Sequence, residues 1–256
     1  MVDTITTKKP LVSIITPCFN GMPFLVETYN SVINQIYDNW EWIIVDDCST
    51  DGSYEFITDK ATQDSRIIVF KNAHKSGAAF SRNKALKSCS GFYITFLDSD
   101  DIIFPNYLLS QLNFIQLNGP IVSSAYYRKT EKTSSLFVPR DNLDYEKILK
   151  GCDLSCLSTM ITKEITYDTF FNEEFYAGDD FIFWIELLKK GYKSRTNFEP
   201  LAVYNIRKHS SSGNKIKLIK PMYNIYRHYL NFGFIKSVYY LFSWGLYGLK
   251  KYRKVK

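Results

Sequence analysis

The chain has 256 residues, 45% of them apolar and 23% charged, with a formal net charge of +6. That much apolar sequence builds one large packed domain, or a domain with an appendage, and excludes a disordered or low-complexity chain. The charge is uneven: residues 201–256 hold 12 Lys/Arg and no Asp or Glu, whereas residues 1–200 hold 20 Lys/Arg against 26 Asp/Glu.

The first element is LVSIIT (11–16), a β-branched run stopped by Pro17. It reads as a buried strand and is too short for a secretory signal. MPFLVETYNSVINQ (22–35) has apolar residues at helical spacing with Pro23 in its first turn. EWIIVDD (41–47) reads as a second strand, and Ser49, Thr50 and Asp51 supply capping chemistry for a helix over 52–63. RIIVF (66–70) is a third strand, 77–88 a helix, and FYITFL (92–97) a fourth strand. Strands alternating with helices in this way predict an α/β fold with a mostly parallel sheet flanked by helices.

Beyond residue 105 the alternation loosens. The spacing predicts a helix at 105–117, a strand at 120–127, irregular chain to 143 and a Cys/Ser-rich strand near 156–162. DDFIFWIELLKK (179–190) reads as a helix closed by Gly191, and 201–207 as the last strand. Cys18, Cys48, Cys89, Cys152 and Cys156 form no CxxC pair, which predicts free thiols in a reducing compartment and no zinc site. No segment reaches the roughly 20 apolar residues that a spanning helix needs, so the expected location is cytoplasmic.

In sheets of this kind ligands sit outside the carboxyl ends of the strands. Asp46, Asp47, Asp98 and Asp100 fall at such ends. FLDSDD (96–101) presents three carboxylates within four positions after a buried run, an arrangement whose mutual repulsion and desolvation a divalent cation relieves. Without a ligand, the same loop would be a solvated helix cap.

SIITPCFNG, VDDCSTDGS, and SGAAFSRNKALKSCSGFYITFLDSDD occur in an order and spacing that resemble the family 2 glycosyltransferases. These are inverting nucleotide-sugar enzymes of GT-A fold, Rossmann-like in their nucleotide-binding half. The resemblance spans roughly residues 10–210, and GDDFIFWIELLKKGY is similar to the family's acidic motif, usually Glu-Asp. It implies a donor linked to UDP or dTDP, UDP preferred, and Mn²⁺ or Mg²⁺ at a DxD motif formed by Asp98, Ser99 and Asp100, with Asp100 most directly on the metal. A hard cation held by one or two carboxylates while bridging phosphates suits that chemistry. The resemblance also implies that Asp47 accepts from the uracil N–H, that Phe19 stacks on the base, and that the backbone of Thr16 and Pro17 lines the same pocket. An Asx-type turn is the plainer role for Asp47. Arg82 and Asn83 enter the helix after Gly77, where the guanidinium either approaches the donor phosphate, props the acidic loop, or forms a salt bridge to Asp46 or Asp98. Lys75 and His74 precede that helix.

Inverting transfer needs a carboxylate to deprotonate the acceptor hydroxyl. Aligned on Trp184, Asp179 takes the place of the family's Glu and Asp180 that of its Asp. Asp180 is therefore the expected base, with the two roles open to exchange, since both residues are aspartates. His209, after the last strand, is either near the metal and diphosphate or simply solvated.

Residues from Tyr204 onward hold 12 aromatic residues and 12 Lys/Arg. FIKSVYYLFSWGLYGLKKYRKVK reads as a helix that either lies on an anionic membrane or packs on the core. With no recognition motif beside the charge, nucleic acid is not an expected partner. The expected organisation is a GT-A domain over 1–210 and a basic, aromatic, helical extension over 211–256, peripheral on the inner face of the cell membrane. The expected reaction moves a hexose from a UDP-sugar to a hydroxyl of a lipid-linked or cell-surface oligosaccharide. Two alternatives are a phosphatase of haloacid dehalogenase type, in which the DxD usually ends the first strand rather than the fourth, and a non-catalytic module that binds nucleotide-sugars.

Overall fold

The computed structural model describes residues 9–175, 177–207 and 215–252. The chain opens with β1 (Val12–Cys18), α1 (Met22–Ile33), β2 (Trp40–Asp46), α2 (Ser53–Gln63), β3 (Ile67–Lys71), α3 (Ala78–Ser88) and β4 (Tyr93–Phe96). β2 is buried at all seven positions because its two faces are both covered. Alternate residues supply the two layers. Ile15, Ile43 and Val45 join one apolar cluster, while Ile14, Trp42 and Ile44 join the other. β1, β2, β3 and β4 pair in parallel, as expected, so their carboxyl ends lie along one edge.

The second half runs through β5 (Ile102–Ile103), α4 (Tyr107–Asn118), β6 (Ile121–Lys129), β7 (Ser134–Phe137), α5 (Tyr145–Ile148), β8 (Thr159–Thr162), α6 (Asp179–Lys189) and β9 (Arg195–Asn205). The sheet order is β3-β2-β1-β4-β8-β6-β9-β5, with β7 paired to β6. β8 runs antiparallel to both β4 and β6, β9 is parallel to β6, and β5 is antiparallel to β9. The sheet is thus parallel in its first half and mixed in its second. β9 starts at Arg195 rather than at 201. Its polar first residues and Pro200 resemble loop, and Pro200 is accommodated at a register shift opposite Ala125.

The chain then continues through α7 (Lys215–Asn224), a π-helical turn (Ile225–Tyr229) and α8 (Phe234–Tyr252). This segment, for which the sequence leaves membrane contact and core packing both open, shares a buried cluster with the sheet. Met222, Ile225, Tyr226 and Tyr240 belong to the same buried cluster as Trp184. The Tyr226 hydroxyl donates to the Leu149 carbonyl at 2.7 Å, and Lys251 Nζ to the Cys152 carbonyl at 3.0 Å. A side chain at Gly151 would collide with the Tyr247 ring, so this glycine is what lets α8 approach so closely. Among the described residues no helix is long and apolar enough to cross a membrane.

Candidate active site

Three loops converge beyond the carboxyl ends of β1, β2 and β4. The first two are stitched together. Asn20 N–H donates to Ser49 Oγ, Thr50 N–H to Asn20 Oδ1, Gly21 N–H to Ser53 Oγ, and Met22 N–H to Asp51 Oδ2, each at 2.9 Å. Asn20 (φ 49°) and Cys48 (φ 65°) hold the left-handed turns that this contact requires. Much of the VDDCSTDGS motif therefore clamps the β1–α1 loop, and Asp51 also accepts from Ser53 N–H at the head of α2 at 3.1 Å. Gly21 leaves room for Ser99, whose Oγ would be 3.0 Å from any Cβ there.

Asp47 is buried and already hydrogen-bonded. Its Oδ1 accepts from Asn72 Nδ2 at 2.8 Å and Ser76 N–H at 2.7 Å, and Oδ2 accepts from Gly77 N–H at 2.8 Å. It thereby fixes the loop that enters α3, and only one or so of its roughly four lone-pair sites is free for a ligand. Phe19 stands exposed beside it, with Lys75 Nζ 3.8 Å from the ring centroid. Thr16 and Pro17 lie behind in β1. The Thr16 side chain is buried and accepts from Trp42 Nε1 at 2.8 Å, so it serves the core rather than the cavity.

Arg82 is buried in α3 and joins two motifs some eighty residues apart. Nη2 donates to Asp98 at 2.7 Å and Nη1 to Asp179 at 3.1 Å, while Nε has no partner. Of the alternatives read from sequence, the prop for the acidic loop and the bridge to Asp98 are both realised; a bridge to Asp46 is not formed. Asn83 holds the chain before the acidic motif, donating to the Phe171 carbonyl at 2.8 Å and Glu173 at 2.7 Å.

Asp100 and Asp101 turn toward β9. Arg207 pairs with Asp100, Asn205 Nδ2 donates to the Asp100 carbonyl at 2.6 Å, and Asn205 N–H donates to Asp101 at 2.9 Å. Burial and then the neighbouring Asp98 charge raise the Asp100 carboxyl, while Arg207 opposes the shift. Sequence reasoning missed Asn205 and Arg207. The signal was YNIR at the end of the last strand, overlooked in favour of His209, which lies outside the described residues.

Asp179 and Asp180 open α6 after Gly178 (φ 91°). Burial raises the Asp179 carboxyl, and its Arg82 partner pulls it back. Asp180 has no ion-pair partner at salt-bridge distance among the described residues, and its Oδ1 accepts from the Phe181 N–H at 2.7 Å. Burial, reinforced by the Asp179 charge, pushes it up to about 6.

A cavity of about 650 Å³ gathers Phe19, Asp47, Arg82, Asp98, Asp179 and Asp180. The sequence-assigned Thr16, Pro17, Ser99 and Asp100 are not on its wall. Cys152, Glu173 and Phe175 line it from the stretch that carried no recognisable motif, and Met222, Trp244 and Lys251 from the C-terminal helices. Among the described residues no three His, Cys, Asp or Glu side chains gather as a ready-made metal cluster. The donor set still fits Mn²⁺ or Mg²⁺. Asp98 faces the cavity, the neighbouring Asp100 carboxyl feels its charge, and such ions take one or two carboxylates with substrate phosphates completing the shell; Asp100 would join only by giving up Arg207.

The sequence profile of Glycosyl transferase family 2 matches residues 13–192. The chain is 35% identical over 251 residues to the putative teichuronic acid biosynthesis glycosyltransferase TuaG of Bacillus subtilis, covering 96% of this chain and 99% of TuaG. It is 31% identical over 245 residues to the Escherichia coli UDP-Glc:alpha-D-GlcNAc-diphosphoundecaprenol beta-1,3-glucosyltransferase WfgD, covering 94% and 95% of the two chains. Among solved structures, S. aureus TarS 1–349 in complex with UDP-GlcNAc superposes with a TM-score of 0.71 at 21% identity, over 90% of this chain and 70% of that one. The Pyrobaculum calidifontis mannosyltransferase PcManGT, in complex with GDP-Man and Mn²⁺, superposes with a TM-score of 0.68 at 18% identity, over 89% and 66%.

Proposed function

The chain belongs to glycosyltransferase family 2 and is a glycosyltransferase of GT-A fold, and on that premise we propose that it transfers the hexose of a UDP-hexose, with inversion at the anomeric carbon and release of UDP, to a hydroxyl of a lipid-linked oligosaccharide, with Mn²⁺ or Mg²⁺ as the expected cofactor. Family membership sets aside the phosphatase and the non-catalytic module. The observation that carries the reading is the contrast between two adjacent carboxylates. Asp179 is tied to Arg82, whereas Asp180 faces the cavity unpaired and is raised to about 6. A base poised near the working pH is what proton abstraction needs.

In this reading the acceptor hydroxyl gives its proton to Asp180 as its oxygen bonds to the anomeric carbon. The bond from that carbon to the diphosphate breaks on the opposite face, and UDP leaves with the electron pair. Asp98, with Asp100 if it exchanges Arg207 for the metal, would hold Mn²⁺ or Mg²⁺, which would supply neutralising charge to the departing diphosphate. Arg82 keeps Asp98 and Asp179 in place beneath the donor. Phe19 offers its ring to the uracil, displacing Lys75, and the remaining lone pair on Asp47 accepts the imide N–H, which rejects bases presenting an acceptor there. Thr16, Pro17 and Ser99 shape the loops behind that pocket. His209 stands as a sequence-based candidate for the diphosphate.

WfgD's name specifies a UDP-Glc donor and a diphosphoundecaprenol-linked acceptor, and TarS was solved with UDP and with UDP-GlcNAc. WfgD supports the donor and acceptor classes proposed here, and TarS the UDP-linked donor alone. Such a reaction belongs on the cytoplasmic face of the cell membrane, where a nucleotide-sugar can meet a lipid carrier. The test is a panel of UDP- and dTDP-sugars with a lipid-linked GlcNAc acceptor, scored for Mn²⁺-dependent nucleotide release. Turnover with a UDP-hexose is expected, and metal-independent release, or release from dTDP-sugars alone, would count against the assignment.

A further inference from the structure

α8 has two apolar faces. Successive helical residues turn by ~100°, which places Ser237, Tyr240, Trp244, Tyr247 and Lys251 on one side. That side is occupied: Ser237 and Tyr240 are buried, the Tyr247 hydroxyl donates to Asp153, and Trp244 and Lys251 line the catalytic cavity. The opposite side carries Ile235, Tyr239, Phe242, Leu246 and Leu249, each between 45% and 84% exposed. Single exposed apolar residues are ordinary, but a continuous stripe over four turns marks a surface that meets something.

The geometry points to an anionic bilayer as the occupant: we propose that α8 lies in the membrane interface with this stripe among the acyl chains. Charge selects the partner. Exposed Lys236 and Lys250 flank the stripe, the sequence continues through Arg253, Lys254 and Lys256, and no Asp or Glu occurs from residue 201 onward. A two-fold contact with a second copy would set this cationic face against itself, with no acid in the segment to pair it. An amphipathic helix with basic flanks and aromatic residues suits a headgroup boundary. With the cavity wall on its inner face, α8 would hold the catalytic pocket about one helix diameter, roughly 10 Å, from the lipid surface. A sugar on a lipid diphosphate could then reach Asp180 without leaving the membrane. That last step rests on the lipid-linked acceptor proposed above; the docking itself does not.

Vesicle co-sedimentation of the whole chain, without donor or acceptor, separates the two. Phosphatidylcholine vesicles containing phosphatidylglycerol should bind the protein, pure phosphatidylcholine much less, and high salt should release only part. The double substitution Phe242→Asp, Leu246→Asp should lower partition at least about tenfold, the equivalent of 1.4 kcal/mol. Both side chains are exposed and off the cavity, so the thermal melt and the release of UDP by donor hydrolysis should stay as in the wild type. Three results would overturn the proposal. The intact protein could bind neither vesicle, binding could survive the double substitution, or light scattering could find a dimer that the substitutions dissolve.

Discussion

Asp180 is the residue whose behaviour says most about the chemistry. Burial and the neighbouring Asp179 charge push its carboxyl up to about 6, above the ordinary value of about 3.9 for an aspartate. In the proposed mechanism the ionised form is the base, so kcat should rise with pH through an apparent value near 6 and then level. Asp180→Asn should retain UDP binding and lose kcat by roughly a hundredfold or more. Asp179→Asn should cost far less; the reverse pattern would mean that the two roles are exchanged. The same shift has a stability consequence of known sign. The folded state holds this proton more tightly than the unfolded chain, so stability falls as pH rises from about 4 to 6. Asp180→Asn should therefore melt higher than the wild type at pH 7, with the gap closing toward pH 4. Arg82 behaves oppositely. Arg82→Gln leaves Asp98 and Asp179 without their shared cation, and breaking a buried pair in this way costs about 3–5 kcal/mol. A melting curve unchanged by that substitution would show that the bridge contributes little.

At the scale of elements, the C-terminal helices are part of the body. Deleting α8 would uncover the cluster that includes Trp184 and Tyr226 and open one wall of the cavity. The truncated chain is expected to lose its cooperative thermal transition or aggregate. A deletion that melts like the full chain would show α8 to be a detachable anchor. This is also where sequence and structure part. β1 to β4 were legible because β-branched runs alternate with helical spacing, although β1 runs through Pro17 to Cys18 instead of stopping at the proline. β5 and β7, of two and four residues, are too short to carry a period, and the polar start of β9 conceals a strand that only its pairing with β6 reveals. The site was legible to the same degree. Asp98, Asp179 and Asp180 announced themselves as clustered carboxylates on strand and helix ends. That Asp47 spends most of its hydrogen bonds on the loop before α3, and that Arg207 rather than any nearer residue answers Asp100, depends on contacts across 30 and more than 100 positions. Local pattern has no access to those. The tail was ambiguous for a physical reason. Apolar residues on opposite sides of one helix give the same composition whether one face or both are buried.

For the whole molecule, sheet topology explains why the chemistry gathers where it does. The carboxyl ends of β1, β2 and β4 place the three loops side by side. Arg82 then ties the end of β4 to α6, and β9 returns to fasten the DxD loop through Asn205 and Arg207. Asp47, Asp98, Asp179 and Asp180 thus line one cavity, which Met222, Trp244 and Lys251 of the C-terminal helices complete. The most direct test is proton NMR of the product formed from an α-linked UDP-hexose and an alcohol acceptor in the presence of Mn²⁺. Single displacement with Asp180 as base requires a β-linked product from the first turnover, and an α-linked product, meaning net retention, would contradict it.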